Sequence, residues 1–172
     1  MTRPLATWSP CRRYRYTLRR PGLLDLFGSR DKYRVCAFLL LNPSTATETE
    51  DDPTIRRCIG FARAWGFAEL VIVNVYALRS TDPAGLWTVG DPVGPWNDAA
   101  IAEVAARAER VVCGWGKHAR PERVARVAEL LAGRETYALE VNKDGSPKHP
   151  LYIPAATVPQ RYTLRGAAAG AA

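Results

Sequence analysis

The feature that most constrains the fold is a series of continuous apolar segments that alternate along the chain with segments of helical periodicity. Residues 33–42 (YRVCAFLLLN) and 69–78 (ELVIVNVYAL) carry apolar runs too long for a strand with one solvated face. Such runs are typical of strands in a sheet that is covered on both faces. Residues 111–116 (VVCGWG) and 135–141 (ETYALEV) predict two further strands.

Between these strands lie three segments with the apolar spacing of amphipathic helices. They span residues 52–65, 98–110 and 120–134. Asp52 is placed to cap the first helix, and Gly66 is placed to end it. The second helix is predicted to be capped by Asn97 or Asp98.

Alternating strands and helices with short connections predict a parallel sheet with helices packed on both faces. The expected fold class is therefore α/β, with three layers (α/β/α) around a central, mainly parallel, four-stranded sheet. Residues 12–19 (RRYRYTLR) alternate in polarity and predict an additional N-terminal edge strand. In this interpretation residues 1–165 form one domain, and the tail at 166–172 is disordered.

The charge of the chain favours a polyanionic partner. The net charge is +7, the pI is near 9.5, and basic residues cluster at 12–20, 56–57 and 117–126. A basic surface attracts nucleic acid and speeds the encounter with it, although such charge also serves solubility alone. No apolar run reaches the roughly 18 residues of a membrane span, and no signal peptide is evident. We therefore expect a cytoplasmic protein without membrane contact, and a monomer.

The cysteines predict buried thiols and no metal. Cys11, Cys36, Cys58 and Cys113 lie far apart and lack the Cys-x-x-Cys spacing of a zinc or iron–sulfur site. Cys36 and Cys113 fall within apolar strand patterns, which favours burial over a metal site assembled from distant ligands. No metal and no other cofactor is expected.

Polar or glycine-rich groups follow all four predicted strands. Because the carboxyl ends of parallel strands meet at one edge of a sheet, ligands bind there. The chain has only two histidines, and both lie in these groups. The groups are Asn42-Pro43-Ser44-Thr45, Asn74 with Arg79-Ser80, Gly114 to His118, and Lys148-His149-Pro150-Leu151.

Three side chains in these groups have both a structural and a functional interpretation. Asn74 interrupts an apolar run, and a buried amide left unpaired costs about 1–3 kcal/mol. Either neighbouring backbone satisfies it, or it reads an adjacent carbonyl and N–H of a ligand. His149 is either a surface-loop residue or a donor aimed at a developing anion. His118 is interpreted as structural or phosphate-facing.

Several common catalytic motifs are missing from the sequence. It contains no Walker-type phosphate loop, no dinucleotide-binding Gly-x-Gly-x-x-Gly after a strand and no Gly-x-Ser-x-Gly elbow. Ser44 has no His–Asp arrangement at a spacing that would make it a nucleophile.

Read together, the four groups resemble the uracil-DNA glycosylase superfamily over residues 33–154. Residues 40–44 (LLNPS) are similar to its water-activating loop, Gly-Gln-Asp-Pro-Tyr-His or Gly-Ile-Asn-Pro-Gly. Residues 71–79 (VIVNVYALR) are similar to the strand that carries the uracil-reading Asn. Residues 114–119 (GWGKHA) and 149–154 (HPLYIP) are similar to Leu-Trp-Gly-x-His-Ala and His-Pro-Ser-Pro-Leu. LLNPSTA and DGSPKHPLY also resemble the signature of a bacterial family of poorly defined function.

The resemblance implies a uracil-DNA glycosylase-like fold and a DNA glycosylase of base-excision repair, which flips a base of uracil-containing DNA and hydrolyses its N-glycosidic bond. It implies that Asn42 positions or polarises water and that Asn74 pairs with the pyrimidine edge. His149 would donate a hydrogen bond to the leaving base, while Pro150 and Leu151 press on the duplex.

The remaining site residues follow from the same resemblance. Those expected to contact substrate are Pro43, Ser44 and Tyr76, and those expected to contact DNA are Arg79, Lys117, His118 and Lys148. Tyr76, Trp87 and Trp115 are the candidates for the aromatic ring that stacks on the base.

The chain also departs from the family pattern. The acid of the fastest members is Asn42 here, and an amide cannot act as a general base. Either water is only oriented, or Asp51 or Asp52, otherwise helix-capping residues, approaches it. Ser44 replaces the tyrosine that blocks thymine. Two other functions are compatible with these residues: a non-catalytic module that binds a flipped base or nucleotide, and a nucleotide- or base-modifying enzyme.

Overall fold

The structure is a computed structural model and describes residues 3–24 and 34–164. The predicted disordered tail at 166–172 lies outside the described residues. The chain forms one mixed sheet with helices on both faces. The strands are β1 (Ala6–Trp8), β2 (Arg15–Pro21), β3 (Val35–Leu40), β4 (Glu69–Asn74), β5 (Arg110–Cys113), β6 (Thr136–Ala138) and β7 (Gln160–Arg161).

The sheet has seven strands in the order β1-β2-β4-β3-β5-β6-β7, where four central strands and one N-terminal edge strand were predicted. Its centre, β4-β3-β5-β6, is parallel throughout, as the apolar segments predicted. The strand predicted at residues 12–19 corresponds to β2. It is not at the edge of the sheet, because β1 pairs antiparallel with its outer side. β1 and β7 have three and two residues, too few to show a period of two.

The helices are α1 (Pro53–Ala64), α2 (Asn97–Arg107) and α3 (Pro121–Leu130). One core layer joins α1 to the side chains of Phe38, Leu40 and Ile72. The other joins α2 and α3 to the opposite faces of the same strands. This three-layer arrangement explains why the central strands read as apolar without alternation.

The two predicted helix caps have different outcomes. The carboxylate of Asp52 accepts a hydrogen bond from the Ile55 amide (2.9 Å), so this cap is confirmed. The prediction for α2 was wrong, because Trp96 occupies the cap position without a side-chain bond. Asn97 is instead the first residue of α2 with a buried amide, and Asp98 pairs with arginines of α3.

The connections between strands place a crevice at the carboxyl ends of the central strands. β3 lies between β4 and β5, and the chain crosses from β3 to β4 through α1 on one face. It then crosses from β4 to β5 through α2 on the other face. The strand order therefore reverses beside β3, and ligands bind at the carboxyl ends of strands at such a point.

Cys36 and Cys113 are buried free thiols, as predicted, and burial raises the pKa of both. Within the described parts of the chain, no group of three or more His, Cys, Asp or Glu side chains could hold a metal ion. None of the helices formed by the described residues is long and apolar enough to cross a membrane.

Candidate functional site

A cavity of about 390 Å³ opens at the carboxyl ends of the central strands. It brings together six of the side chains proposed from the sequence, from four separate stretches of chain. These are Asn42, Ser44, Asn74, His118, His149 and Leu151. The cavity is also lined by Arg15, Asp52, Trp115 and Tyr152.

Asn74 lies at the last position of β4, lines the cavity and is only 1% exposed. Neither its Nδ2 nor its Oδ1 has a hydrogen-bond partner among the described residues. The backbone-satisfied interpretation of this amide is therefore wrong. An unpartnered buried polar group is destabilising, so its presence beside a cavity points to a ligand.

The backbone of the same strand end is held firmly from the other face of the sheet. Asn97 Nδ2 donates to the carbonyls of Asn74 (2.9 Å) and Val75 (3.1 Å). Arg123 Nε also donates to the Val75 carbonyl (2.8 Å), and Arg123 is paired with Asp98 (2.6 Å). These bonds fix the position of Asn74 without satisfying its side chain.

Asn42 follows β3 and has a fixed amide orientation. Its Nδ2 donates to the carbonyls of Pro43 (2.9 Å) and Ser80 (2.7 Å). Both amide hydrogens are used, and Oδ1 has no partner in the part of the chain that the structure describes. The oxygen of Asn42 is thus the group left to accept a bond from water or ligand.

Asn42→Asp is expected to destabilise the protein without accelerating any hydrolysis. A carboxylate would face the carbonyls of Pro43 and Ser80 with no hydrogen to donate, which should lower stability by about 1–3 kcal/mol. Thermal unfolding and single-turnover hydrolysis measure the two effects. An Asn42→Asp protein that keeps its stability and hydrolyses any substrate faster than the wild type would contradict this role of Asn42.

His149 precedes the short 3₁₀ helix Pro150–Tyr152 and is half-buried in the cavity wall. Its Nδ1 accepts a hydrogen bond from the Leu151 amide (3.4 Å), which leaves the proton of a neutral ring on Nε2. Burial lowers the pKa of His149 below its ordinary 6.5, against the opposing effect of the Asp52 charge. His149 is therefore a neutral Nε2–H donor at pH 7.

Two contacts hold the His149 segment against the sheet. The guanidinium of Arg57, on α1, donates to the Ile153 carbonyl just beyond the 3₁₀ helix. Gly114, at the end of β5, lets the segment approach closely. A Cβ on Gly114 would lie 3.1 Å from Pro150 Cδ and 3.3 Å from Leu40 Cδ2.

Gly114→Ala is expected to displace the segment that carries His149 and to lower stability by about 1 kcal/mol through overpacking. Ligand binding and any catalysis should weaken about tenfold, because small shifts of a positioned donor are costly. Gly60→Ala is the matched control, since its Cβ meets nothing within 4 Å. It adds the same methyl group on α1 and should stabilise by about 0.5–1 kcal/mol. Equal effects of the two substitutions would refute the role given to Gly114.

Of the two acids considered as a general base, only Asp52 lines the cavity. One of its oxygens caps α1, and the other has no hydrogen-bond partner within the described residues. Asp51 instead pairs with Arg20 (2.7 Å) and does not line the cavity. A carboxylate beside Asn42 and His149 can accept a proton from water.

A family model described as "Protein of unknown function (DUF1643)" matches residues 15–151, well over half of the chain. The chain belongs to the DUF1643 family. The matched range includes every cavity-lining residue named above except Tyr152. No curated protein and no solved structure shows significant similarity to the chain.

Two predicted base-contacting residues of this DUF1643 protein lie away from the cavity. Tyr76 is buried in the core layer beneath α2 and α3, and its hydroxyl accepts a bond from the Arg120 amide (3.0 Å). Trp87 packs edge-on against Tyr76 and under the Arg120 guanidinium. Trp115 does line the cavity, and so does Tyr152, which was not considered and is 86% exposed at its mouth.

Pro43 and Pro150 are buried and contribute backbone rather than cavity surface. The Pro43 carbonyl accepts bonds from Asn42 and from the Ser80 amide (2.9 Å). Lys148 is paired with Glu140 (2.6 Å) outside the cavity, so its charge is partly neutralised.

The remaining cationic residues form two surfaces beside the cavity. Arg79 is exposed and lines a groove of about 410 Å³ with Arg12 and Arg13. Lys117 lines a larger groove of about 840 Å³ with Lys143 and the acidic Asp144. The first groove shares Ser80 with the cavity, and the second shares Trp115 and Gly116. Much of the other basic charge is taken up in ion pairs such as Arg19–Glu69 and Arg126–Asp98.

Arg15 is a charged cavity residue that, like Tyr152, was not predicted from the sequence. It is 2% exposed and remains a cation, although burial lowers its pKa to about 10. In the sequence it is one of several alternating arginines in a strand predicted to lie at the edge, where such residues are solvated. The pairing of β1 with β2 was not predicted, and that pairing helps to bury Arg15.

Proposed function

We propose that this protein is a DNA glycosylase that removes uracil, or a related pyrimidine, from DNA by base flipping and hydrolysis of the N-glycosidic bond. The observation that carries the proposal is the unpartnered, buried amide of Asn74 beside a cavity at the switch point of the sheet. The motif resemblance supports it, because the residues that match the family's water, base and leaving-group motifs line one cavity.

The amide of Asn74 is complementary to the edge of uracil. Its Oδ1 would accept a hydrogen bond from the ring N3–H, and its Nδ2 would donate to the adjacent carbonyl oxygen. On binding, the N3–H and the carbonyl of uracil replace their hydrogen bonds to water with hydrogen bonds to Asn74. Asn74 in turn gains the partners that it lacks in the free protein. A flipped base would therefore be held by bonds that leave no buried polar atom of Asn74 unsatisfied.

The leaving group would be stabilised by His149. When the bond between the sugar C1′ and the base N1 breaks, its electron pair stays on the pyrimidine, and the sugar becomes cation-like. The neutral Nε2–H of His149 would donate a hydrogen bond to the pyrimidine oxygen on which negative charge collects. A preorganised donor of this kind contributes about 100- to 1000-fold in rate.

Water would attack from the side of the cavity formed by Asn42 and Asp52. The Oδ1 of Asn42 would accept one hydrogen of the water and orient its oxygen towards C1′. The free oxygen of Asp52 would take the proton as the bond to C1′ forms, and its charge would also stabilise the cation-like sugar. No step requires a metal or an organic cofactor.

The DNA strand would follow the two grooves that adjoin the cavity. Arg12, Arg13 and Arg79 lie in one groove, and Lys117 and Lys143 lie in the other. Contacts to phosphates there would make binding fall steeply with salt. Leu151 and the exposed Tyr152 at the cavity mouth would occupy the space left by a flipped base. We propose a cytoplasmic monomer that acts in base-excision repair.

The experiment is a gel assay in which a labelled oligonucleotide containing one uracil is incubated with the protein and then treated with alkali. Strand cleavage at the uracil position, absent with a thymine control oligonucleotide, supports the proposal. Intact DNA at stoichiometric protein concentrations contradicts it.

A non-catalytic module that binds a flipped base is the second candidate. It is favoured by the identity of residue 42. The fastest uracil-DNA glycosylases have an acid there, whereas the amide of Asn42 cannot take a proton. A retarded band with uracil-containing DNA, without cleavage after alkali, would support this candidate over the glycosylase.

A further inference from the structure

Arg15 is a buried cation without an anionic partner. It lines the cavity, and in the described chain no carboxylate lies within ion-pair distance of its guanidinium. Glu48 pairs with Arg12 and Asp51 pairs with Arg20, while Asp52 and, more weakly, Glu48 attract Arg15 only from longer range. Buried charges in proteins are normally paired, so this arrangement suits an anion supplied by a ligand.

The hydrogen bonds of Arg15 leave one edge of the guanidinium unused. Its Nη1 donates to the Ala46 carbonyl (2.7 Å), which fixes the plane of the group. Its Nε has no partner among the described residues, and Nη2 makes no hydrogen bond there either. The Nε–Nη2 edge is the one that binds two oxygens of a phosphate or carboxylate side by side.

A β-bulge directs Arg15 to this position. Thr7 pairs with Thr17, but Trp8 pairs with Arg15, so Tyr16 is the extra residue of β2. Thr17 consequently lies on the α2 side of the sheet beside Ala100, whereas Arg15 reaches Ala46 in the α1 layer. Residues two apart in a regular strand share a face, and bulges often re-aim a side chain beside a functional site.

We infer that Arg15 binds the phosphate of the nucleotide whose base contacts Asn74, through the Nε–Nη2 edge of its guanidinium. The identity of the base rests on the proposed function, but the phosphate site does not. Arg20 and Arg79 add positive charge near Arg15. The phosphate belongs either to a DNA phosphodiester or to a free nucleoside monophosphate.

The test compares the affinities of deoxyuridine 5′-monophosphate and 2′-deoxyuridine by calorimetry at constant ionic strength. The wild type should bind the monophosphate about 10- to 100-fold more tightly. Arg15→Gln and Arg15→Met should bind both ligands equally, and Arg15→Lys should recover only part of the preference. Arg107→Gln removes the same charge from α2, outside the cavity, and should keep the wild-type ratio. An unchanged ratio in both Arg15→Gln and Arg15→Met would overturn the inference.

Inorganic phosphate separates this inference from the proposed function. It should raise the unfolding temperature of the wild type but not of Arg15→Met, whether or not uracil is excised. Stabilisation that persists in Arg15→Met would overturn the phosphate site and leave the glycosylase proposal standing. A uracil-containing trinucleotide that binds more tightly than the monophosphate, with the difference lost in Arg15→Met, assigns the site to DNA. The reverse order assigns it to free nucleotides.

Discussion

Asn74→Leu should give a protein that is more stable than the wild type and does not release uracil. The amide of Asn74 is buried and has no partner for either polar atom. Leucine has a similar size and no polar group to leave unsatisfied, so stability should rise by about 2 kcal/mol. For a chain of this length that corresponds to roughly 4–8 °C in unfolding temperature. Uracil release should fall by at least ~100-fold. Calorimetric unfolding and single-turnover excision measure the two quantities on the same preparation.

Asn97→Leu is the matched control for this prediction, because it makes the same substitution in the helix residue that supports this strand end, and its expected effect on stability has the opposite sign. The Nδ2 of Asn97 donates to the carbonyls of Asn74 and Val75. Its loss should lower stability by about 1–3 kcal/mol. An Asn74→Leu protein that is less stable than the wild type, or that still excises uracil, would show that the amide is not a ligand-reading group.

His149→Ala should lower the rate of uracil release by about 100- to 1000-fold, since it removes the donor proposed for the leaving base. The neutral ring is the active form in this account. Protonation would place a second N–H at Nδ1, facing the Leu151 amide that now donates to it. The rate should therefore be constant above pH 6.5 and should fall at a pH below that ordinary value, because the pKa of His149 is lowered.

The free energy of unfolding should also fall as the pH is lowered below 6.5. The unfolded chain takes up the proton of His149 at a higher pH than the folded protein does, so the stabilisation from this residue is complete above pH 6.5. It is lost as pH falls from that value towards the lowered pKa. His149→Ala should remove this part of the pH dependence, and His118→Ala should keep it. A wild-type rate that rises on acidification between about pH 7 and 5 would contradict the neutral-donor assignment.

The parallel core could be predicted from sequence because burial on both faces leaves a direct mark on composition. Residues 35–41 and 70–73 are apolar at consecutive positions, and the adjacent strands β3 and β4 are centred on these segments. Two-residue and three-residue strands leave no comparable mark. β1 and β7 were not predicted for that reason. Because β1 was not predicted, the burial of Arg15 was not predicted either.

The candidate site was predictable where it depends on topology and not where it depends on side-chain direction. Asn74 ends a strand, and Asn42 and His149 lie in loops at the carboxyl ends of the central strands, so their convergence follows from the parallel order. Tyr76 is close to Asn74 in sequence, which suggested contact with the base. Its side chain instead packs in the core layer formed with α2 and α3, away from the cavity. Asn97 was interpreted as a cap, since capping is the commonest use of Asn before a helix. Its role as a support for Asn74 depends on a contact between two elements that sequence spacing does not encode.

A crystal structure of the protein with uracil would show directly whether Asn74 binds the base. We expect one uracil in the cavity, with the Asn74 amide about 2.7–3.2 Å from the ring N3 and its neighbouring oxygen. We also expect the His149 Nε2 within hydrogen-bond distance of the other carbonyl oxygen. Uracil bound elsewhere, or an empty cavity in which a protein group pairs with Asn74, would contradict this binding mode.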